Sequence, residues 1–237
     1  MSNKEYIEKY NDEDEVIKTW FQVRDRSGNT VDVTGIVNPL KVDNRQLASV
    51  TDQQGSTPHC AGYSIANLAE AVIWKRTGRL VNLNADQIYA KAKTMDGDAD
   101  SEGTYLEYAI KAALDLGGIA NPEKVRTGFL YNDRTDNTVE ALKYLVHKYD
   151  FVHAGFSITT GWYSCNQSDP VIKHTSIPCG GHAVLVVGYD QDGAYIQNSW
   201  GPEWGSKGFG VLPWAAFKQE AMYFCYLQNV YDGLNEG

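Results

Sequence analysis

No apolar run in the 237-residue chain approaches the ~20 residues that a membrane-spanning helix requires, so a helical integral membrane protein is excluded. Cations are scarce as well: 21 Lys and Arg face 30 Asp and Glu, a formal charge of −9. Phosphate binding needs clustered Lys and Arg, so a nucleic-acid partner is not expected. Cysteine is sparse. Four residues cannot scaffold a chain this long. Cys165 and Cys179 bracket a polar loop that a disulfide would close, although two free thiols is the simpler reading. Cys225, within Met222-Tyr223-Phe224-Cys225-Tyr226, reads as a small buried hydrophobe.

The acidic opening, Met1 to Glu15, has neither the basic nor the apolar part of a secretory leader. Its expected location is the cytoplasm, or outside the cell by a leaderless route. Internal repeats and low-complexity tracts are missing. The acidic loop from Met95 to Gly103 lacks the glycine and terminal glutamate of a calcium loop at the required spacing. A monomer with neither metal nor cofactor is expected.

What the chain does contain is enough apolar material, 43% of residues, for one large core or two smaller ones facing a cleft. Residues 1–45 form an N-terminal extension with an expected β-hairpin around Arg26-Ser27-Gly28-Asn29, packing on the β lobe. From Cys60 onward, Ile65, Leu68, Ala69, Val72 and Ile73 recur at helical intervals, and Gly78 ends the helix. Thr57 is the expected N-cap and Pro58 the first helical residue. Further helices are expected over 85–93, 105–116 and 138–149. After residue 150 the pattern turns to strands, over 151–158, 183–189, 194–197, 208–212 and 223–230, with a hairpin turn at Asp192-Gly193. The fold class is therefore α+β: a helical lobe over 46–150, then a β lobe over 151–237, with a site in the cleft between them.

Three segments carry the chemistry: Gln54-Gly55 with Cys60 six residues after the Gln, Gly181-His182, and Asn198-Ser199-Trp200-Gly201. Together they offer an oxyanion donor, a thiol, an imidazole and a neutral amide, the parts needed for acyl transfer through a cysteine. The grouping resembles the papain-like cysteine peptidases. His182 and Asn198 follow Cys60 by 122 and 138 positions, near the ~130–150 typical of that family. Leu83 to Gln87 and Glu102-Gly103-Thr104-Tyr105 also fall in family order, and the resemblance runs from about Asp43 to about Phe217. Around the nucleophile it departs: Thr57-Pro58-His59-Cys60-Ala61 replaces Cys-Gly-Ser-Cys-Trp, removing a crosslink and an indole but no reacting group.

The resemblance implies a two-lobe fold, a helical left lobe and an antiparallel, barrel-like right lobe. It implies a thiolate at Cys60 paired with imidazolium at His182, which Asn198 orients, and an oxyanion held by Gln54 and the Cys60 N–H. Trp200 and Trp204 would shield the Asn–His contact. A peptide or protein substrate would lie along Gly103 and Thr104, with Tyr105, Leu106, Gly181 and Ala183 bordering an apolar pocket for the second residue before the cleaved bond. Other readings remain: a silent peptide-binding module, a related thiol amidase or transpeptidase, or a zinc site from Cys165, His174, Cys179 and His182. His59 reads as a solvent-facing loop residue, the alternative being one that perturbs the thiol or contacts substrate, and His147 and His153 read as surface residues.

Overall fold

The computed structural model describes residues 38–48, 52–98, 100–116, 126–132, 134 and 136–228. The hairpin expected in the N-terminal extension lies outside them.

The first long helix, α1 (Cys60–Thr77), stops at Gly78, whose φ of 67° is left-handed and whose N–H closes the last turn on the Trp74 carbonyl. Only glycine adopts that conformation without a Cβ penalty. The helix starts later than expected. His59 is the N-cap and makes no side-chain cap bond, because the Thr57 hydroxyl is spent on the Gln54 carbonyl at 2.7 Å. Burial of α1 is also not one-sided: from Ala61 to Val72 nearly every residue is buried, Ser64, Asn67 and Glu70 included. Two shorter helices, α2 (Ala85–Lys93) and α3 (Leu106–Asp115), pack on it from one side and the sheet from the other. Gly62 permits the close approach of α2, since a Cβ there would stand 2.5 Å from the Ala85 carbonyl oxygen. Full burial of side chains such as Ile65 and Leu68 is worth about 1.5–3 kcal/mol each, and this locks the helix between its neighbours.

The rest of the chain builds one antiparallel sheet from β1 (Val42–Asp43), β2 (Arg126–Tyr131), β3 (Val152–Thr159), β4 (Pro178–Tyr189), β5 (Gly193–Gln197), β6 (Phe209–Pro213) and β7 (Ala221–Gln228). Its order is β2-β7-β3-β4-β5-β6, with β1 pairing to the far end of β4. Helices α4 (Asp136–Tyr149) and α5 (Trp214–Glu220) cover it. β2 pairs with β7, and α4 contributes Leu142, Leu145 and Val146 to the core of the sheet. Residues 126–149, assigned from sequence to the helical lobe, thus build the β lobe.

His147 is exposed on α4, as read from sequence. His153 is not a surface residue. It is fully buried on β3, where its Nδ1 lies 2.7 Å from the Ser64 hydroxyl of α1. Strand alternation alone does not reveal that a helix covers this face. Cys225 is fully buried on β7, and all four cysteines are free thiols.

Candidate active site

The thiol sits at the first residue of α1, where backbone N–H groups have no intrahelical acceptor and present partial positive charge. The N–H groups of Ala183, Ala61 and Cys60 itself all lower the pKa of the thiol, but burial outweighs them and pushes it up. The imidazole sits on β4, opposite Phe156 of β3. Its Nε2 lies 2.8 Å from Asn198 Oδ1; since the amide oxygen can only accept, Nε2 donates, and Nδ1 is left as the second site. Burial lowers His182 to about 4, opposed by the Asn198 bond, which raises it. Burial thus disfavours the charged form of each partner taken singly.

Cys60 and His182 line the same two cavities, of about 380 and 590 Å³. The residue following His182 supplies an N–H that reaches the thiol. Two groups 122 positions apart in the chain thus line one groove, Cys60 from α1 and His182 from β4.

Asn198 follows β5 directly and is fully buried. Its backbone N–H donates to Gly208 O at 3.0 Å, and its Oδ1 also accepts the Ser199 N–H at 2.8 Å. Those contacts fix the amide plane that holds His182. Trp200 stacks on the imidazole at 4.7 Å between centroids, and Trp204 meets Trp200 edge-on at 6.0 Å. The indoles exclude water from the Asn–His bond, which strengthens it.

Gln54 lies in the segment leading to α1. Gln54 N–H donates to Ser199 O at 2.8 Å, Gln53 bridges Trp200, and Gly201 N–H donates to Asp52 O at 3.0 Å. This short antiparallel pairing carries the glutamine to the cleft. Its side chain is clamped at both ends: Oε1 accepts the Ser199 hydroxyl at 2.6 Å, and Nε2 donates to Thr57 O at 2.7 Å. An amide nitrogen has two protons, so one is left for a ligand oxygen.

The six residues expected to border the substrate all line the smaller cavity. Gly103 has φ +82°, a left-handed conformation that L side chains rarely adopt. Thr104 is tethered by its hydroxyl to Asp96 at 2.8 Å, and Asp96 in turn pairs with Lys93 at 2.9 Å. Tyr105 is exposed and Leu106 buried, with the Leu106 N–H donating to the Tyr223 hydroxyl at 3.1 Å. Met222 and Tyr223 complete the apolar wall.

Some contributors escaped the sequence reading. Trp162 packs edge-on against His182 at 6.0 Å, accepts the Trp204 indole N–H on its carbonyl at 2.8 Å, and donates its own to Glu220 Oε2 at 2.6 Å. Glu220 is almost wholly buried and also accepts from Thr159 at 2.9 Å, with His174 Nδ1 at 2.6 Å. Ser199 stood inside a quoted motif without a role. Nothing in the spacing of Trp162 or Glu220 marks them. His59 is half-buried, 2.7 Å from Asp86 and stacked on Tyr89 at 3.8 Å, so it belongs to the α1–α2 contact.

The zinc reading does not survive: among the described residues no three His, Cys, Asp or Glu side chains come together as ligands. His174 is committed to Glu220, Cys165 is buried, Cys179 is exposed, and His182 is held by Asn198.

Comparison with known proteins agrees with this geometry. A family model described as papain family cysteine protease matches residues 121–219. The chain is 27% identical over 205 residues to testin-2 of Rattus norvegicus, covering 73% of this chain and 60% of that protein. It is 28% identical over 230 residues to papain of Carica papaya, covering 88% of this chain and 64% of papain. Over residues 121–219 the chain is similar to the papain family. Xylellain, a cysteine protease from Xylella fastidiosa, superposes with a TM-score of 0.63 at 19% identity, over 92% of this chain and 93% of that one. That likeness bears out the papain-like α+β fold. The chain spans about three fifths of the length of testin-2 and of papain. The matched family segment holds His182, Asn198, Trp200 and Trp204, whereas Gln54 and Cys60 precede it.

Proposed function

We propose that the protein is a cysteine peptidase that cleaves peptide bonds within a chain through an acyl-enzyme on Cys60. The observation that carries this is the thiol and the Asn198-held imidazole lining one cleft, with a clamped Gln54 amide beside them. The family's peptidases, and the xylellain fold, support the same reading.

Substrate binding expels water, and His182 Nδ1 takes the thiol proton as Sγ attacks the carbonyl carbon. Burial opposes each charge alone. Transfer within the pair creates both at once at contact distance, where their attraction offsets the desolvation. The carbonyl π bond opens to an oxyanion that accepts from the free Gln54 Nε2 proton and the Cys60 N–H. Collapse of this intermediate breaks the C–N bond, and the His182 proton goes to the departing amine. A water, losing its proton to His182, then hydrolyses the thioester, releasing the acid and restoring the thiol. Trp200, Trp204 and Asn198 keep the ring in one orientation. The substrate backbone pairs with Gly103 and Thr104 as an added strand. The pocket walled by Leu106, Ala183, Met222 and Tyr223 takes an apolar side chain two positions before the cleaved bond.

The test is cleavage of a fluorogenic peptide library together with labelling by an epoxide probe that needs an activated thiol. Internal cleavage and stoichiometric labelling of the wild type, both lost in Cys60→Ala, are expected. Peptide binding to the wild type without cleavage or labelling would instead make the protein a silent binding module.

A further inference from the structure

Thr57-Pro58-His59-Cys60-Ala61 stands where the resemblance leads one to expect a crosslink beside the nucleophile, yet all four cysteines are free thiols. His59 directly precedes Cys60. Its ring is gripped by α2 in two ways: Nδ1 lies 2.7 Å from Asp86 Oδ1, and the imidazole stacks on Tyr89 at 3.8 Å between centroids, with 24° between planes. As imidazolium or as the Nδ1–H tautomer it donates to the carboxylate, so the bond survives either charge state. Asp86 also takes a side-chain hydrogen bond from Tyr63, one turn further along α1. The carboxylate is itself well seated, because Asn84 caps α2 by accepting the Gln87 N–H at 2.9 Å and an acidic side chain suits the first turn of a helix. Gly62 brings the helices into contact at this level, since a Cβ there would lie 2.5 Å from Ala85 O and 3.1 Å from Tyr89 N.

Resting on the peptidase reading, we infer that His59 is a positioning residue for the nucleophile, a noncovalent clamp that fixes the opening turn of α1 on α2. Cys60 follows it in the chain, and the His59 carbonyl accepts the Tyr63 N–H at 3.1 Å within that turn. Whatever moves His59 therefore moves both the sulfur and the Cys60 N–H that receives the oxyanion. The side chain makes no cap bond to α1 and is spent on α2 instead. A partly exposed ion pair is weak by itself, but here a ring stack and a second donor, Tyr63, act at the same point. Attack on a carbonyl tolerates little displacement, with about 10²-fold lost for ~1 Å, so a loosened turn should cost kcat about tenfold.

The experiment measures kcat and KM on one internally cleaved peptide for wild type, His59→Ala, Asp86→Ala and the double variant, each well below its melting temperature. Backbone hydrogen exchange is followed alongside, over residues 61–66 and 67–77 of α1. His59→Ala should lower kcat about tenfold with KM little changed, and should speed exchange several-fold over 61–66 alone. The double variant should lose less than the product of the two single losses. An unchanged kcat, with or without a lower melting temperature, makes His59 a packing residue and overturns the inference, as does a fully multiplicative loss. If the wild type cleaves nothing, the peptidase reading has failed on its own account. Exchange then decides about the clamp: equal protection of 61–66 in wild type and His59→Ala overturns it, and a loss confined to that turn supports it.

Discussion

The Ser199 hydroxyl donates a 2.6 Å hydrogen bond to Gln54 Oε1, joining the residue after Asn198 to the amide proposed to hold the oxyanion, 145 positions earlier in the chain. This bond orients the amide, because with Oε1 held by Ser199 the Nε2 end must face Thr57 O and the cleft. Ser199→Ala should therefore reduce kcat with little change in KM. Gln54→Ala, which removes the donor itself, should cost ~10²–10³ in kcat. The double variant should be no worse than Gln54→Ala alone. Steady-state kinetics on one peptide checks all three, and additive losses would contradict the linkage.

A second expectation concerns acid. His153 is buried next to Ser64, and burial lowers it from 6.5 to about 3. The unfolded chain takes up this proton first, so the contribution is complete above pH 6.5 and is lost progressively as pH falls toward 3. Within that window stability should decline by about 1.4 kcal/mol per pH unit from this residue. Urea unfolding of the wild type and His153→Gln near neutrality and again at mildly acid pH measures it. The variant should show a slope shallower by one proton, and equal slopes would mean that His153 titrates normally.

Glu220 gathers the Trp162 indole, Thr159 and His174 on one buried carboxylate. Glu220→Ala leaves these groups without their acceptor, at a cost of about 1–3 kcal/mol for each buried donor, and frees Trp162 from its place against His182. Thermal unfolding should show a fall in Tm, and the remaining folded enzyme should turn over more slowly. Glu220→Gln, which keeps an acceptor for Trp162, should recover part of both.

Gly161 is a steric prediction. A Cβ at this position would lie 1.8 Å from the Lys173 carbonyl oxygen, backbone against backbone. Gly161→Ala must displace one strand of chain, at about 1–3 kcal/mol. The next residue is Trp162, so the shift should reach His182. Circular dichroism melts and peptide turnover should fall together, and an unchanged melt would place the carbonyl elsewhere.

Much of the site is written in local order. The first helix with its terminal Gly78, the helices expected over 85–93 and 138–149, and the hairpin after Asp190 all follow from periodicity and turn chemistry, and the four candidate catalytic groups follow from motif spacing. Burial shared between distant elements is not. The helix start moved from Pro58 to Cys60 because Thr57 turned its hydroxyl to Gln54. β2 was missed because Arg126 to Tyr131 takes its partner from the other end of the chain, β7. His153 was misplaced because a polar side chain on a strand gives no sign that a serine from α1 waits opposite it. Charge alone could not announce that Glu220 lies inside the lobe.

The two halves of the cleft are anchored with unequal firmness. The imidazole rides on a strand that is bonded to β3 from Pro178 to Val186 and to β5 from Leu185 onward. The sulfur stands on the opening turn of a helix whose N-cap makes no side-chain capping bond. Gentle heating should accordingly unseat the sulfur while the sheet is still intact, so that turnover fades several degrees below the bulk melting transition and returns on cooling.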